Sequence, residues 1–206
     1  MILVGQYDSP FVRRVAVSLK VLGISYEHDT RSIFGDFDSM RTTNPLGRIP
    51  SLIRDDGVVL VDSAAILDWL DREVGPERAL IPASGPARDR ALQLIALATG
   101  SIEKIGAATY ERLVRPKALR WDDWIERCLT QGVGGLAALD RQIDPAAPID
   151  QAQITTGCLL AYIRLNCADL TPAGRYPVLE RLLAKLDATP AFAETAVTEY
   201  KVPRAD

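Results

Sequence analysis

The residues with the clearest chemical purpose lie in the stretch Asn44–Pro50, which reads Asn-Pro-Leu-Gly-Arg-Ile-Pro. Pro50 has no N–H to give to a sheet, so we expect it at the start of a strand, Ser51–Ile53. A cis peptide bond before Pro50 would turn the backbone of Ile49 outward. The N–H and C=O groups of Ile49 would then be available at a sheet edge to pair with an extended peptide.

The pair Asp62-Ser63 follows a second predicted strand, Val58–Val61, and precedes a predicted helix. Ser63 is a favourable N-cap for that helix, and a helix N-terminus with a hydroxyl group favours an anion. Asp62 beside it could hold a cation. A carboxylate and an ammonium group close together are the charged groups of an amino acid, so this region predicts a receptor for a small peptide.

Elements that precede this stretch follow a strand–helix–strand pattern. Ile2–Gln6 is apolar and predicts a buried strand. Ser9-Pro10 has the composition of an N-cap and first helical position, and an amphipathic helix then runs to Leu22, before Gly23. Ile24–Asp29 predicts a second strand, parallel to the first with a right-handed crossover.

The rest of the chain divides at a proline-rich segment. A helical turn near Phe37–Arg41, a hairpin around Asp56-Gly57 and a helix over Ala64–Val74 complete a domain at 1–77, and residues 78–85 form a linker. Residues 86–206 predict helices only. They are Ala87–Leu113, Trp121–Ile143, a helix after Asp150 with Gln153 in a capping-box variant, Pro177–Leu186 and Pro190–Thr195.

Composition limits the function classes. The chain has 206 residues, of which 48% are hydrophobic and 25% charged, with a net charge of −3, so general nucleic-acid affinity is not expected. The N-terminus does not resemble a signal peptide, and no apolar run would span a membrane, which predicts a cytoplasmic protein. The three cysteines form no CxxC pair and His28 is the single histidine, so we expect no metal site.

Three motifs together carry a resemblance to a known family. Ser9–Arg14, Asn44–Pro50 with Asp62-Ser63, and the capped helix at Asp150 resemble the cytosolic glutathione S-transferase superfamily over essentially the whole chain. The resemblance implies an α+β thioredoxin-like N-terminal domain followed by an all-α C-terminal domain, and a homodimer. The opening segment Tyr7–Arg13 looks most like a bacterial subgroup that carries a Ser-Pro-Phe-Val-Arg motif.

The resemblance also supplies the identity of the peptide, which is glutathione as a co-substrate. In that family the residue before the cis-proline, here Ile49, pairs with the cysteinyl backbone, and the acidic-Ser pair, here Asp62-Ser63, holds the γ-glutamyl group. Arg48 is expected at the rim, close to the glycyl carboxylate. The full predicted glutathione set is Ser9, Phe11, Arg48, Ile49, Pro50, Asp62 and Ser63.

Ser9 is the candidate for activating the glutathione thiol. Related redox enzymes place Cys-Pro-Phe/Tyr-Cys where this chain has Ser9–Val12, and the absence of both sulfurs argues against disulfide exchange. Lowering a thiol pKa from ~8.5 to ~6.5 requires about 2.7 kcal/mol. A hydrogen bond to a charged acceptor supplies about 1.5–3 kcal/mol and a helix N-terminus about 0.3–1. Two alternatives stay open: Ser9 acts only as a helix cap, or Tyr7 contacts the thiol.

The predicted function is therefore a detoxifying glutathione transferase that acts on a small hydrophobic electrophile held between the two domains. Candidate electrophile contacts are Tyr7, Tyr110, Arg112, Arg115 and Trp121. Peroxide reduction, dehalogenation, isomerisation and glutathione binding without catalysis are the alternatives. Arg13 and Arg14 are expected to be solvated or to face an acidic group across a dimer interface.

Overall fold

The structure is a computed structural model that describes residues 1–197. These residues form two compact units, one of Met1–Ala83 with the described residues from Ala188 onward, and one of Ser84–Asp187. The sequence predicts one helical domain over 86–206. Residues 188–197 instead group with the first unit, and 198–206 lie outside the described residues.

The first unit is built around a four-stranded mixed sheet in the order β2-β1-β3-β4. As predicted, β1 pairs parallel with β2 and β3 pairs antiparallel with β4, while β1 and β3 are antiparallel. The elements are β1 Ile2–Val4, α1 Pro10–Val21, β2 Glu27–Asp29, α2 Phe37–Thr43, β3 Ser51–Ile53, β4 Val59–Val61, α3 Ser63–Val74 and α8 Pro190–Ala193.

The first two strands are shorter than their apolar runs suggest. β1 ends at Val4 because Gly5 has a φ of 124°, outside the strand region. The residues that follow α1 cap its C-terminus. The N–H of Gly23 donates to the carbonyl of Lys20, and the N–H of Ile24 donates to the carbonyl of Leu19. This is a Schellman motif with glycine in the left-handed position, so β2 starts only at Glu27.

The strand register decides which loops meet. Val4 faces Ser51, and Ser51 faces Val61, across neighbouring strands. The chain therefore leaves β1 at Gly5, enters β3 from Pro50 and leaves β4 at Asp62, all at one end of the sheet. α1 packs on β1, α3 packs on β3 and β4, and the two helices contact each other. Their shared core includes Leu3, Val15, Leu19, Leu52, Ile66 and Leu70.

The second unit consists of four long helices with short 3₁₀ turns. They are α4 Gly85–Leu113, α5 Asp122–Gln142, α6 Gln151–Asn166 and α7 Pro177–Asp187. Small residues bring α4 and α5 together: a Cβ on Gly132 would lie 2.5 Å from Cγ1 of Ile105, and a Cβ on Gly135 would overlap the hydroxyl of Ser101. Among residues 1–197, no helix combines the length and apolar composition that a membrane span needs.

The start of α6 confirms Asp150 as its N-cap, with Oδ1 accepting from the N–H of Gln153 at 2.8 Å. The second half of the predicted capping box is wrong. The side-chain amide of Gln153 donates to the carbonyls of Asp144 and Ala147 at 2.7 and 3.2 Å. The side chain of Gln153 therefore holds the loop that precedes α6. A buried amide needs hydrogen-bond acceptors, and the carbonyls of Asp144 and Ala147 provide them.

Asp150 also gives a prediction about stability. Burial raises its pKa, against hydrogen bonds from the N–H groups of Gln153 and Ala152 and the charge of Lys185, which lower it. A raised pKa means that Asp150 binds a proton more tightly in the folded state than in the unfolded state. The contribution of Asp150 to the free energy of unfolding therefore falls as the pH rises above 3.8, the ordinary pKa of an aspartate. Asp150→Ala should cost about 1 kcal/mol at neutral pH, whereas Asp150→Asn, which keeps the acceptor without the charge, should match or exceed the wild type.

Urea unfolding of the three proteins at neutral and at acidic pH checks this prediction. The advantage of Asp150→Asn over the wild type should shrink on acidification, because the wild-type carboxyl then becomes neutral too. An Asp150→Asn variant as unstable as Asp150→Ala at neutral pH would contradict it.

Candidate functional site

The predicted docking ledge lies at the end of the sheet where β1 leaves and β3 begins. The Ile49–Pro50 peptide bond is cis, as predicted. A Cβ on Gly5 would lie 2.8 Å from Cβ of Ile49 and 2.7 Å from Cγ2 of Val12. Gly5 therefore allows Ile49 to pack directly beside the first turn of α1, which Ser9 caps.

Asn44 shapes the loop that leads to Ile49. Its side chain is 1% exposed, and its Nδ2 donates to the carbonyl of Arg48 at 2.8 Å. Its Oδ1 accepts from the N–H of Leu46 at 3.0 Å, and its carbonyl accepts from the N–H of Gly47 at 2.8 Å. One buried amide thus holds both ends of the turn, while the side chain of Arg48 is exposed.

Ser9 is the N-cap of α1, as predicted. Its Oγ accepts from the N–H of Val12 at 3.4 Å, a long hydrogen bond that uses the oxygen and leaves the hydroxyl proton for another acceptor. The residue before it, Asp8, is also held in the loop. Burial raises the pKa of Asp8, against hydrogen bonds from the N–H groups of Ser9 and Asp8 that lower it.

Tyr7, the alternative thiol contact, is engaged elsewhere. Its hydroxyl lies 2.7 Å from that of Tyr26, and its ring stacks on His28 with 4.0 Å between centroids. Burial, followed by the hydrogen bond to Tyr7, raises the pKa of Tyr26 well above its usual value, so Tyr26 stays neutral at physiological pH. Nε2 of His28 lies 2.7 Å from the carbonyl of Gly5 and must donate to it. Tyr7 thus has Tyr26 and His28 as neighbours, and the choice between Ser9 and Tyr7 stays a prediction.

The pair Asp62-Ser63 starts α3, but with roles different from those expected. Asp62 is the N-cap: its Oδ1 accepts from the N–H of Ala64 at 2.8 Å, with a φ of 71°. Ser63, which we predicted as the N-cap, is instead the first residue of the helix and is 2% exposed. The turn at Asp62 brings its carboxylate, rather than the hydroxyl of Ser63, to the N–H of Ala64.

Arg14 is the residue that the sequence analysis missed. Its Nη2 donates to Oγ of Ser63 at 2.7 Å, and its guanidinium lies 5.8 Å from the ring centroid of Phe11. Arg14 therefore joins two predicted glutathione contacts. The expectation that it is solvated is wrong, because it is 3% exposed. No local signal indicates this contact, because Ser63 lies 49 positions along the chain.

Arg13 is buried as well, at 5% exposure, but it points elsewhere. Its Nη2 donates to the carbonyl of Phe192 at 3.0 Å, and its guanidinium lies 5.1 Å from the centroid of that ring. Its Nε donates to Oγ1 of Thr195 at 3.4 Å. These contacts attach residues 188–197 to α1, which explains why they group with the first unit.

Two of the residues predicted to contact the electrophile belong to the second unit. They are Tyr110 and Arg115. Tyr110 is 44% exposed near the end of α4. Arg115 pairs with Glu111 at 2.7 Å, and this hydrogen bond keeps the pKa of Glu111 below its usual value. Glu111 also accepts from the N–H of Trp121 at 3.2 Å, so this pair fastens the turn before α5. A cavity of about 600 Å³ nearby is lined by Arg112, Arg120, Asp122, Ile125, Glu126 and Leu129, among others.

A thioredoxin-like sheet unit followed by a helical unit is the predicted fold class, and comparisons with known proteins confirm it. Residues 3–78 match the family model of the glutathione S-transferase N-terminal domain. A glutathione transferase family member from Pseudomonas fluorescens Pf-5, solved with bound glutathione, is 31% identical with a TM-score of 0.87, over 96% of this chain and 99% of that one.

Two curated relatives extend the comparison. The GST-like protein YibF of Escherichia coli (strain K12) is 27% identical over 95% of this chain and 98% of its own length. A probable maleylacetoacetate isomerase of Vibrio cholerae is 27% identical over 95% of both chains. The chain belongs to the glutathione transferase family.

Proposed function

We propose that the protein binds glutathione and activates its thiol for attack on a small hydrophobic electrophile. The observation that carries this proposal is the meeting of Ile49, the first turn of α1 and Ser63 around one end of the sheet. The Pseudomonas fluorescens relative with bound glutathione supports it. A homodimer, a cytoplasmic location and membership of the Ser-type bacterial subgroup accompany the proposal as predictions.

In this proposal each part of the tripeptide has its own contact. The backbone of Ile49 pairs with the cysteinyl residue, in the manner of an added strand. The hydroxyl of Ser63, at the positive end of α3, holds the α-carboxylate of the γ-glutamyl residue, and Asp62, which caps the N–H of Ala64, faces its ammonium group. Phe11 and Pro50 provide apolar walls, and the exposed Arg48 faces the glycyl carboxylate.

Ser9 then acts on the sulfur. The thiol proton leaves to solvent, and the hydroxyl of Ser9 donates a hydrogen bond to the thiolate, beside the positive end of the α1 dipole. The sulfur lone pair forms the new bond to the electrophile, while either the bond to a leaving group breaks and that group departs with the electron pair, or a double bond opens and its far carbon takes a proton from solvent. Ser9 supplies electrostatic stabilisation and neither removes the proton nor forms a covalent bond. Its oxygen can therefore cap the helix while its hydroxyl proton is donated to the thiolate.

Titration of glutathione with ultraviolet detection of thiolate, on the wild type and Ser9→Ala, tests the proposal. Ser9→Ala should raise the pKa of the bound thiol by about 1–2 units and lower turnover about 10- to 100-fold near neutral pH, while glutathione affinity changes little. Thr189→Ala is the matched control. Thr189 caps α8 and, like Ser9, accepts a backbone N–H at 3.4 Å, so its loss should leave the thiol pKa unchanged.

Two outcomes would contradict parts of this proposal. If both proteins bind glutathione as the thiol, Ser9 is only a cap and the protein is a binder. If the wild type does not bind glutathione, the ledge at Ile49 serves another ligand.

Glutathione-dependent isomerisation is the second candidate, because a probable maleylacetoacetate isomerase aligns along 95% of the chain. In an isomerisation the thiolate adds to a double bond and is expelled again, so glutathione is not consumed. Transfer to an aryl halide consumes one glutathione per product. Following glutathione and product together, with a cis-alkene diacid and with an aryl halide, separates the two reactions.

A further inference from the structure

Another cavity lies within the helical unit, between α6, α7 and the loop of residues 171–176. Its volume is about 340 Å³, and small-molecule sites usually have volumes of about 300–1,000 Å³. All of its lining residues belong to Ser84–Asp187. None of them is a residue assigned above to glutathione or to the electrophile, so a ligand in this cavity would have contacts of its own.

The buried part of the lining is apolar except for one hydroxyl group. Leu160 of α6, Leu179 of α7 and Tyr176 are buried, and Leu183 of α7 is half-buried. Water beside these side chains finds few hydrogen-bond partners and is therefore held weakly. An apolar group that displaces such water gains affinity.

The exposed part of the lining is charged. Arg164 of α6 pairs with Asp187 of α7 at 2.9 Å, so an ion pair joins the two helices beside the cavity. Glu180 accepts from the N–H of Gly174 at 2.6 Å, which ties the loop to α7. This part of the lining carries one arginine against two carboxylates. An anionic ligand is therefore disfavoured and a neutral one is favoured.

Tyr176 is the unusual residue of this cavity. It is 6% exposed, and its buried hydroxyl has no hydrogen-bond partner among residues 1–197. Buried hydroxyl groups normally have a partner, and one without a partner lowers stability. Because Tyr176 lines the cavity, a small rotation of its ring would present the hydroxyl to a ligand there. A hydroxyl group on the ligand could accept from Tyr176 or donate to it.

We infer that this cavity binds a small neutral molecule that has an apolar ring system and one hydroxyl group. The ring system covers Leu160, Leu179 and Leu183, and the hydroxyl group pairs with Tyr176. The inference goes beyond the proposed function and does not require that the protein binds glutathione.

NMR titration with 2-naphthol, which is neutral at pH 7, tests the inference. The wild type should bind it with a dissociation constant on the order of 0.1 mM. Tyr176→Phe should weaken binding about 5- to 10-fold, because the ligand hydroxyl loses its partner. Ala184→Phe, which fills the cavity from an exposed lining position, should weaken it more than about 10-fold. Glutathione affinity should stay at the wild-type value in both variants.

The melting temperature without ligand is the second measurement. Tyr176→Phe removes a buried hydroxyl that has no partner, so its melting temperature should stay within about 2 °C of the wild type or rise. Tyr162→Phe is the matched control, because Tyr162 is a tyrosine of α6 that does not line this cavity. It should leave the affinity for 2-naphthol unchanged.

A wild type that does not bind 2-naphthol would overturn the inference. Binding that Tyr176→Phe or Ala184→Phe leaves at wild-type strength would overturn it too, because the probe would then be held elsewhere or by other groups. A Tyr176→Phe protein with a much lower melting temperature would show that the hydroxyl already has a partner, with the same consequence. A wild type that binds 2-naphthol but not glutathione would overturn the proposed function alone.

Discussion

Replacing Gly5 by alanine is expected to lower the free energy of unfolding by about 4 kcal/mol. Two costs add. The φ of 124° is one that residues with a Cβ rarely adopt, and the new methyl group would overlap both Ile49 and Val12. For a chain of this length the melting temperature should fall by about 8–16 °C.

Gly23→Ala separates the two costs. Gly23 also has a positive φ, of 69°, but a Cβ there would meet nothing within 4 Å. This variant should lose only about 1 kcal/mol. Thermal and urea unfolding of both variants measures the difference, and equal losses would show that the contact between Gly5 and Ile49 is not tight. The folded fraction of the Gly5→Ala protein should also bind glutathione more weakly, because Ile49 has to move.

The second large effect is expected for Asn44→Ala. This change leaves the carbonyl of Arg48 and the N–H of Leu46 without their buried partner, at a cost of about 2–3 kcal/mol. Because Arg48 immediately precedes Ile49, the ledge should lose its fixed position, and glutathione affinity should fall about 10-fold or more.

Asn44→Asp is the informative companion. It keeps an acceptor for Leu46 but has no amide donor for Arg48, so it should restore the Leu46 contact and leave the Arg48 carbonyl without its donor. Calorimetric titration of glutathione, together with unfolding curves, compares the two variants. If Asn44→Asp binds glutathione as tightly as the wild type, the amide bond to Arg48 does not position the ledge.

Features set by neighbours in the chain could be predicted from the sequence. The capping of α1 by Ser9 and of α6 by Asp150 depends on residues three positions apart, and both are confirmed. The cis bond before Pro50 and the hairpin between β3 and β4 followed from proline and turn chemistry. The family resemblance was strong because Asn44–Pro50 and Asp62-Ser63 had to match together.

Features set by distant parts of the chain could not be predicted in this way. The hydroxyl that binds Arg14 lies 49 positions along the chain, and the carbonyl that binds Arg13 lies 179 positions along it. Two arginines at a helix start normally indicate solvent exposure. The residues next to the two arginines in the chain do not indicate these partners. The contacts form only after the sheet, α3 and residues 188–197 have packed against α1.

The attachment of residues 188–197 to α1 has a consequence for protein synthesis. A ribosome releases α1 early, yet the carbonyl of Phe192 that accepts from Arg13 emerges only after the whole of Ser84–Asp187 has been made. Domains generally fold as units during translation, the earliest-made first. Here the unit that is begun first still lacks residues 188–197 when the whole of Ser84–Asp187 has been made. Until then a nascent chain carries an arginine whose final acceptors have not yet been translated.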